Sequence, residues 1–313
     1  MPSPRADGVT VVVPTWNRRA GLERALRGLE AQNDPPVDWD VVVVASAGDP
    51  IAHQVAAGPW TLPGLRVVDE ARPGASTARN RGLSVSRSVV AFLDDDCRPE
   101  PDWLARITAP VLEGRWAGAG GRVRLDAEVD VPRWMGDALL AFLAEYDRGE
   151  HDRLLDATDF LLTANAAFDA GLLAAAGGFD PLLGPNAGRP MVDDDVDVCR
   201  KVRAAGGAIG YVADAVVVHD LPASRLRPSY LVRRMLAQGR SDWLLDRAEL
   251  ATRPDRGARA GLGQLAREQR SILRQGPWHR SVLLHSAGSA ARAAGYLQEA
   301  AVPRRARDQA GES

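Results

Sequence analysis

Two runs of carboxylates stand out in this sequence: Asp94-Asp95-Asp96, and Asp193-Asp194-Asp195 with Asp197 and Arg200 close behind. Asp94 and Asp96 are spaced so that an extended segment points both side chains one way, and a turn offers them to one hard cation. Carboxylates crowded together without a cation repel one another and hold their protons more tightly. Mg2+ or Mn2+, bound by one or two carboxylates plus phosphate oxygens of a substrate, suits this composition; a solvated acidic turn is the plain alternative. The second run falls at the expected start of a helix, where free N–H groups and the macrodipole favour anions. Asp193 reads as a helix cap, but capping accounts for one aspartate and not for four. A carboxylate beside others, shielded from water, has the raised proton affinity of a general base. His219 closes a run of valines, where a metal or phosphate contact stands level with a structural role. His53, His151, His279 and His285 have no such setting. Cys97 and Cys199 lack partners at metal spacing and read as unreactive.

The elements that must position these groups are legible as an alternation. Val9–Val13, Val41–Ala45, Leu65–Val68 and Val89–Leu93 are short apolar runs, as strands buried on both faces should be. Arg19–Gln32 places Leu22, Ala25, Leu26 and Leu29 on one helical face. Ser76–Arg87 follows Pro73-Gly74 and opens with the capping residues Ser76 and Thr77. Strands alternating with helices build right-handed βαβ units around a parallel sheet, whose ligands bind beyond the carboxyl ends of the strands. Those ends carry Pro14-Thr15-Trp16-Asn17-Arg18, Ala45-Ser46-Ala47-Gly48-Asp49, Arg72-Pro73-Gly74-Ala75 and Asp94-Asp95-Asp96. Further on, Gly118–Gly121 reads as a turn before a strand at Arg122–Leu125, and Arg133–Tyr146 as a helix. Gly177–Asp180 reads as a turn, and Ala215–Val218 as a strand ending at His219.

Length and composition fit one large α/β domain with an appendage. The chain has 39 basic and 41 acidic residues and a net charge of −2, which argues against a nucleic-acid binder. The average hides a split: from Pro222 onward there are 17 arginines against 8 acidic residues. That tail reads as Arg-rich helices, one of them carrying Leu231, Met235 and Leu236 beside Arg233, Arg234 and Arg240. Docking onto the catalytic domain is the plain reading of such helices, and peripheral contact with anionic lipid the alternative. No signal peptide, spanning helix or disulfide framework is evident, so a cytoplasmic protein, with contact at the inner face of the membrane left open, is the expectation.

These motifs, in this order, resemble the family 2 glycosyltransferases of the GT-A fold. Pro14–Arg18 is similar to that family's P-x-(Y/W)-N-R loop, and Gly74 with Ala78-Arg79-Asn80-Arg81-Gly82 to its G-x-x-x-A-R-N-x-G element. Leu93–Asp96 resembles the D-x-D metal motif, Gly177–Asp180 the G-G-F-D turn, and Asp194–Arg200 the E-D-x-D-L-x-x-R motif with Asp194 in place of Glu. His219 stands where the family has V-x-H. The resemblance covers roughly residues 9 to 240 and implies a mostly parallel α/β sheet flanked by helices; the chain reads as a nucleotide-sugar-binding and catalytic domain at 1–221, an Arg-rich helical extension at 222–303 and a disordered tail at 304–313. The resemblance implies that Asp94 and Asp96, with His219 nearby, hold Mg2+ or Mn2+ on the diphosphate of a nucleotide sugar. Pro14, Thr15, Trp16, Asn17, Arg18, Ser46, Arg79, Asn80 and Asp95 would line the donor. Asp195 would be the general base of an inverting transfer to an acceptor hydroxyl, with Trp134, Asn165 and Asp194 on the acceptor side. The acceptor classes left open are a lipid-linked compound, a glycan and a small natural product.

One departure matters. The family's second strand usually ends in an acidic pair, one of which reads uracil; here Ala45-Ser46 stands there and Asp49 follows a few residues on. UDP, dTDP and GDP sugars are therefore all open. A non-catalytic nucleotide-sugar-binding module and a nucleotidyltransferase are the competing readings. The second wants a Gly-rich, basic loop after the first strand, and Pro14–Arg18 is not one.

Overall fold

The computed structural model describes residues 8–33, 37–126, 128, 130–132, 135, 139, 141–185, 190–252 and 280–302. Trp134 and the stretch from 304 to 313 lie outside these residues. The chain folds as two compact units. One is built from residues up to Asp126 with Ala144–Pro181 and Asp194–Asp220; the other from Ala127–Leu143, Leu182–Asp193 and the chain from Leu221 on.

The first unit is organised by a nine-stranded sheet in the order β3-β2-β1-β4-β8-β6-β9-β5, with β7 beside β9. Strands β1 (Val9–Thr15), β2 (Trp39–Ser46), β3 (Arg66–Glu70) and β4 (Val89–Leu93) pair in parallel. Their crossovers are α1 (Arg19–Glu30), α2 (Pro50–Ala56) and α3 (Ala75–Leu83). Every residue of β1 and β4 is buried, as their runs of valine require. The third strand differs from its expected double-sided burial: β3 is the edge of the sheet and half-exposed. The start of α3 also differs. Gly74 occupies the N-cap with φ +122, a conformation that suits glycine, and Thr77 Oγ1 bonds back to the Gly74 carbonyl at 2.7 Å.

Beyond β4 come β5 (Cys97–Pro99), α4 (Trp103–Leu112), β6 (Gly118–Leu125), β7 (Arg153–Leu154), β8 (Asn165–Asp169), α5 (Ala170–Ala175), α6 (Asp194–Ala204) and β9 (Ile209–His219). Antiparallel pairing enters through β8, between β4 and β6, while β6 and β9 are parallel. The glycines expected as a turn, Gly118–Gly121, lie inside β6. They are there for space: a Cβ on Gly120 would meet Leu161 at 2.6 Å, and one on Gly121 the Ala215 carbonyl at 1.9 Å. Of the stretch expected as a helix over Arg133–Tyr146, the described residues include Leu139, which is helical, and a 3-10 turn at Ala141–Leu143, and Tyr146 bridges to Val123.

The pairing of β6 with β9 slips between Gly121 and Arg122, a bulge that frees backbone carbonyls in the interior. Asn165 repairs it. Its amide donates to the carbonyls of Arg122 at 2.9 Å and Ala215 at 2.8 Å, and its oxygen accepts from the Trp103 indole at 2.7 Å. Asn165, expected on the acceptor side, is 0% exposed and has these bonds within the core.

In the second unit, α7 (Pro228–Thr252) packs against α8 (Arg280–Ala300). Leu231, Met235 and Leu245 are buried, while glycines set the approach: Gly239 lies against the Arg292 carbonyl and Gly295 against that of Leu236. Arg292 Nε bonds Asp242 at 2.6 Å, and Tyr296 bonds Asp246 at 3.0 Å. Asp193, expected as a helix cap, has φ +67, and its carboxylate accepts from Gln238. Burial pushes that carboxyl up to about 6 against the pull of Arg234. Among the described residues, no helix is long and apolar enough to cross a membrane.

Asn165→Ala strips two carbonyls and an indole N–H of their partner and is expected to destabilise the protein by about 2–4 kcal/mol. Thermal denaturation checks this; an unchanged midpoint contradicts the role of Asn165 at the bulge.

Candidate active site

The site is built at the carboxyl ends of β1 and β4, where each side chain is placed by the element preceding it. β4 ends at Leu93, and Asp94–Asp96 form a tight turn closed by the bond from Cys97 N–H to the Asp94 carbonyl, 3.0 Å. The turn sends its three carboxylates to different partners. Asp94 accepts from Arg79 Nη2 at 2.6 Å. Asp95 is buried and accepts from Thr15 Oγ1 at 2.7 Å, with Arg18 Nη1 at 3.4 Å. Asp96 Oδ2 pairs with Arg18 Nη1 at 2.5 Å and lies 3.5 Å from His219 Nε2. His219 reaches this place as the last residue of β9, in register with Cys97 on β5, and the next residue, Asp220, donates its N–H to the Asp96 carbonyl at 2.8 Å.

Arg79 is the hinge of the arrangement. It is 4% exposed, and its second nitrogen, Nη1, donates to Asp194 Oδ2 at 2.5 Å, joining the acidic turn to the start of α6. Burial works against its charge, but Asp94, Asp194 and the neighbouring Asp195 outweigh it and hold the guanidinium above the usual arginine value. The same group lies 5.7 Å from the centre of the Phe179 ring. Asn80 fixes that ring's backbone, donating to the Phe179 carbonyl at 2.7 Å and accepting from its N–H at 2.9 Å. Arg79 and Asn80, expected as donor contacts, are therefore committed within the protein: one bridges carboxylates, the other anchors the Gly177–Asp180 turn.

Burial is the largest influence on Asp95 and pushes it up to about 7, with Asp96 and Asp94 adding to the rise and Arg18 and Thr15 opposing it. Arg18 is raised: burial opposes its charge, and Asp96 with Asp95 more than compensates.

The loop after β1 carries Trp16, Asn17 and Arg18, all exposed, with Asn17 at φ +54. Asp49 secures it. Its carboxylate accepts from Asn17 N–H at 2.7 Å and, as the N-cap of α2, from Ile51 N–H at 2.9 Å. The sequence carried a signal for half of this, since Asp49-Pro50 is a helix start; nothing in it linked Asp49 to Asn17. Ser46 closes β2, buried and in register with Glu70 of β3. Pro14 and Thr15 are the last buried residues of β1.

A divalent cation fits the donor set only in part. A carboxylate and an imidazole facing one another at 3.5 Å suit one edge of a Mg2+ or Mn2+ shell completed by phosphate oxygens. Among the described residues no three of His, Cys, Asp or Glu converge on a closed protein site. Of the two carboxylates expected as ligands, Asp94 is bound by Arg79 and Asp96 by Arg18.

A match to glycosyltransferase-like family 2 covers residues 4–241. The chain belongs to that family. It is 29% identical over 230 residues to the succinoglycan biosynthesis protein ExoM of Rhizobium meliloti, covering 72% of this chain and 71% of that protein. It is 30% identical over 103 residues to glycosyltransferase AglE of Haloferax volcanii, 31% of this chain but only 33% of AglE. The mannosyltransferase PcManGT of Pyrobaculum calidifontis, solved with GDP-mannose and Mn2+, superposes with a TM-score of 0.60 at 20% identity, over 96% of this chain and 88% of that one. The GT-A fold of this family 2 chain is thus the one its motifs implied.

Removing Arg79 leaves Asp94 and Asp194 without their shared buried partner. Arg79→Met is expected to cost about 3–5 kcal/mol in urea unfolding, and adding Asp94→Asn and Asp194→Asn to recover part of it. Equal stability of Arg79→Met and the unaltered protein contradicts the bridge.

Proposed function

We propose that this chain transfers a glycosyl group from a nucleoside diphosphate sugar to an acceptor hydroxyl, with Asp195 as general base. The observation that carries the reading is the junction at Arg79. It draws the acidic turn after β4 and the start of α6, 100 residues apart in sequence, to one edge of the sheet. That edge is where open α/β sheets bind ligands, and the family supplies the class of reaction.

In the proposed step the acceptor oxygen attacks the anomeric carbon while its proton passes to Asp195. The bond from that carbon to the diphosphate oxygen breaks, and its electron pair leaves with the nucleoside diphosphate. Attack opposite the leaving group inverts the anomeric centre. Asp195 lies in the first turn of α6 beside Asp194, which accepts from Arg79, and a carboxylate among others at the start of a helix is suited to take up a proton. Asp96 and His219 would hold Mg2+ or Mn2+, which when bound supplies positive charge to the leaving diphosphate. Thr15, Trp16, Asn17, Arg18 and Ser46 frame the nucleotide side. With Ser46 a neutral hydroxyl at the end of β2, UDP, dTDP and GDP sugars are the donors to test. PcManGT's GDP-mannose supports including the last.

Asp195→Asn is expected to keep nucleotide affinity within about twofold while transfer falls by about 10²–10⁴-fold, the range of general-base catalysis. Calorimetry and a radiolabelled-donor assay read the two quantities. Near-normal transfer by Asp195→Asn rejects the base, and loss of binding together with transfer assigns Asp195 to the donor instead.

A further inference from the structure

The acidic turn already has a cation on it, and the protein supplies it. Arg18 Nη1 stands 2.5 Å from Asp96 Oδ2 and 3.4 Å from Asp95 Oδ1. The oxygen it touches is the same one that lies 3.5 Å from His219 Nε2. Arg18 thus covers the pair of atoms read above as the edge of a Mg2+ or Mn2+ site, and the inference rests on that reading. A guanidinium does not lose its proton in proteins, so the carboxylate is cleared only when the side chain swings away. It is built to do so. Its side chain is 43% exposed, against 9% for Asp95 and 13% for Asp96, so the acids stay fixed while the arginine rotates into solvent. Its backbone does not have to follow, because the Asp49 bond to Asn17 N–H holds the loop in place.

We propose that Arg18 is the resident counter-ion of the metal-free protein and exchanges with the divalent cation. Before the cation arrives, Arg18 prevents Asp95 and Asp96 from repelling one another. When it leaves Asp96 it needs a new anion, and a nucleoside diphosphate at the same edge offers one. Cation and nucleotide therefore bind cooperatively: the cation alone must displace Arg18 for no return, whereas with a diphosphate present the displaced guanidinium gains a partner. Cooperativity of this kind is a reciprocal coupling between two sites.

The test is Mn2+ binding followed by electron paramagnetic resonance, with no turnover involved. Wild-type protein, Arg18→Gln, Arg18→Lys and Asp96→Asn are each titrated without nucleotide and with GDP or UDP. Without nucleotide, Arg18→Gln is expected to bind Mn2+ at least threefold more tightly than wild type. Arg18→Lys, which keeps the charge, should stay near wild type, and Asp96→Asn should bind most weakly. Nucleotide should tighten Mn2+ binding in wild type and do so less in Arg18→Gln. Equal or weaker Mn2+ binding by Arg18→Gln, with loss in Asp96→Asn, overturns the exchange and leaves the cation site standing. Failure of every protein to bind Mn2+ even with nucleotide, or indifference to Asp96→Asn, overturns the cation site and the exchange with it.

Discussion

A buried guanidinium between two carboxylates holds this site together. Arg79 brings Asp94, from the turn after β4, against Asp194, from the start of α6, with nearly all of its surface withdrawn from water. Each partner alone would be expensive in that place; together they satisfy one another. Much of the surrounding architecture serves this contact. Phe179 lies beneath the guanidinium, Asn80 fixes Phe179, and the left-handed glycines Gly177 and Gly178 turn the chain toward them.

The second constraint is charge balance on the acidic turn. Three successive carboxylates meet three different solutions: a buried arginine for Asp94, a threonine hydroxyl and a proton affinity raised by burial for Asp95, and an exposed arginine with a histidine alongside for Asp96. The gradient from buried to exposed partner orders them by role. Asp94 is bound by a buried arginine, while the Arg18 side chain that meets Asp96 is 43% exposed. The sheet edge then carries a buried guanidinium on the Arg79 side and a half-exposed one on the Arg18 side.

Much of this was legible in the sequence where period and punctuation agree. The valine runs of β1, β2 and β4, the amphipathic α1 and the motif order gave the parallel half of the sheet and the identity of both acidic groups. What was hidden depends on contacts between distant residues. Gly118–Gly121 carries turn composition but lies in a strand, because Leu161 and the Ala215 carbonyl leave no room for a Cβ. Asn165 carries the composition of a polar site residue but repairs a bulge that no local pattern announces. The motif residues Arg79 and Asn80 stand out in the sequence; that their polar groups face inward, to carboxylates and to Phe179, is a property of the packed fold alone. Asp49 shows the same limit, since capping α2 was readable and holding Asn17 was not.

The account depends on a nucleotide and a divalent cation meeting at the edge where Asp96 and His219 face one another. The most direct measurement is the thermal midpoint of the wild-type protein and of Asp96→Asn with UDP, dTDP, GDP, ADP and CDP, each with and without Mn2+, since a ligand that binds only the folded state raises the midpoint. The account predicts that one nucleotide raises the midpoint of the wild type when Mn2+ is present, and that the Mn2+-dependent part of the rise vanishes in Asp96→Asn. No rise with any nucleotide, or a Mn2+-dependent rise that survives in Asp96→Asn, would contradict it.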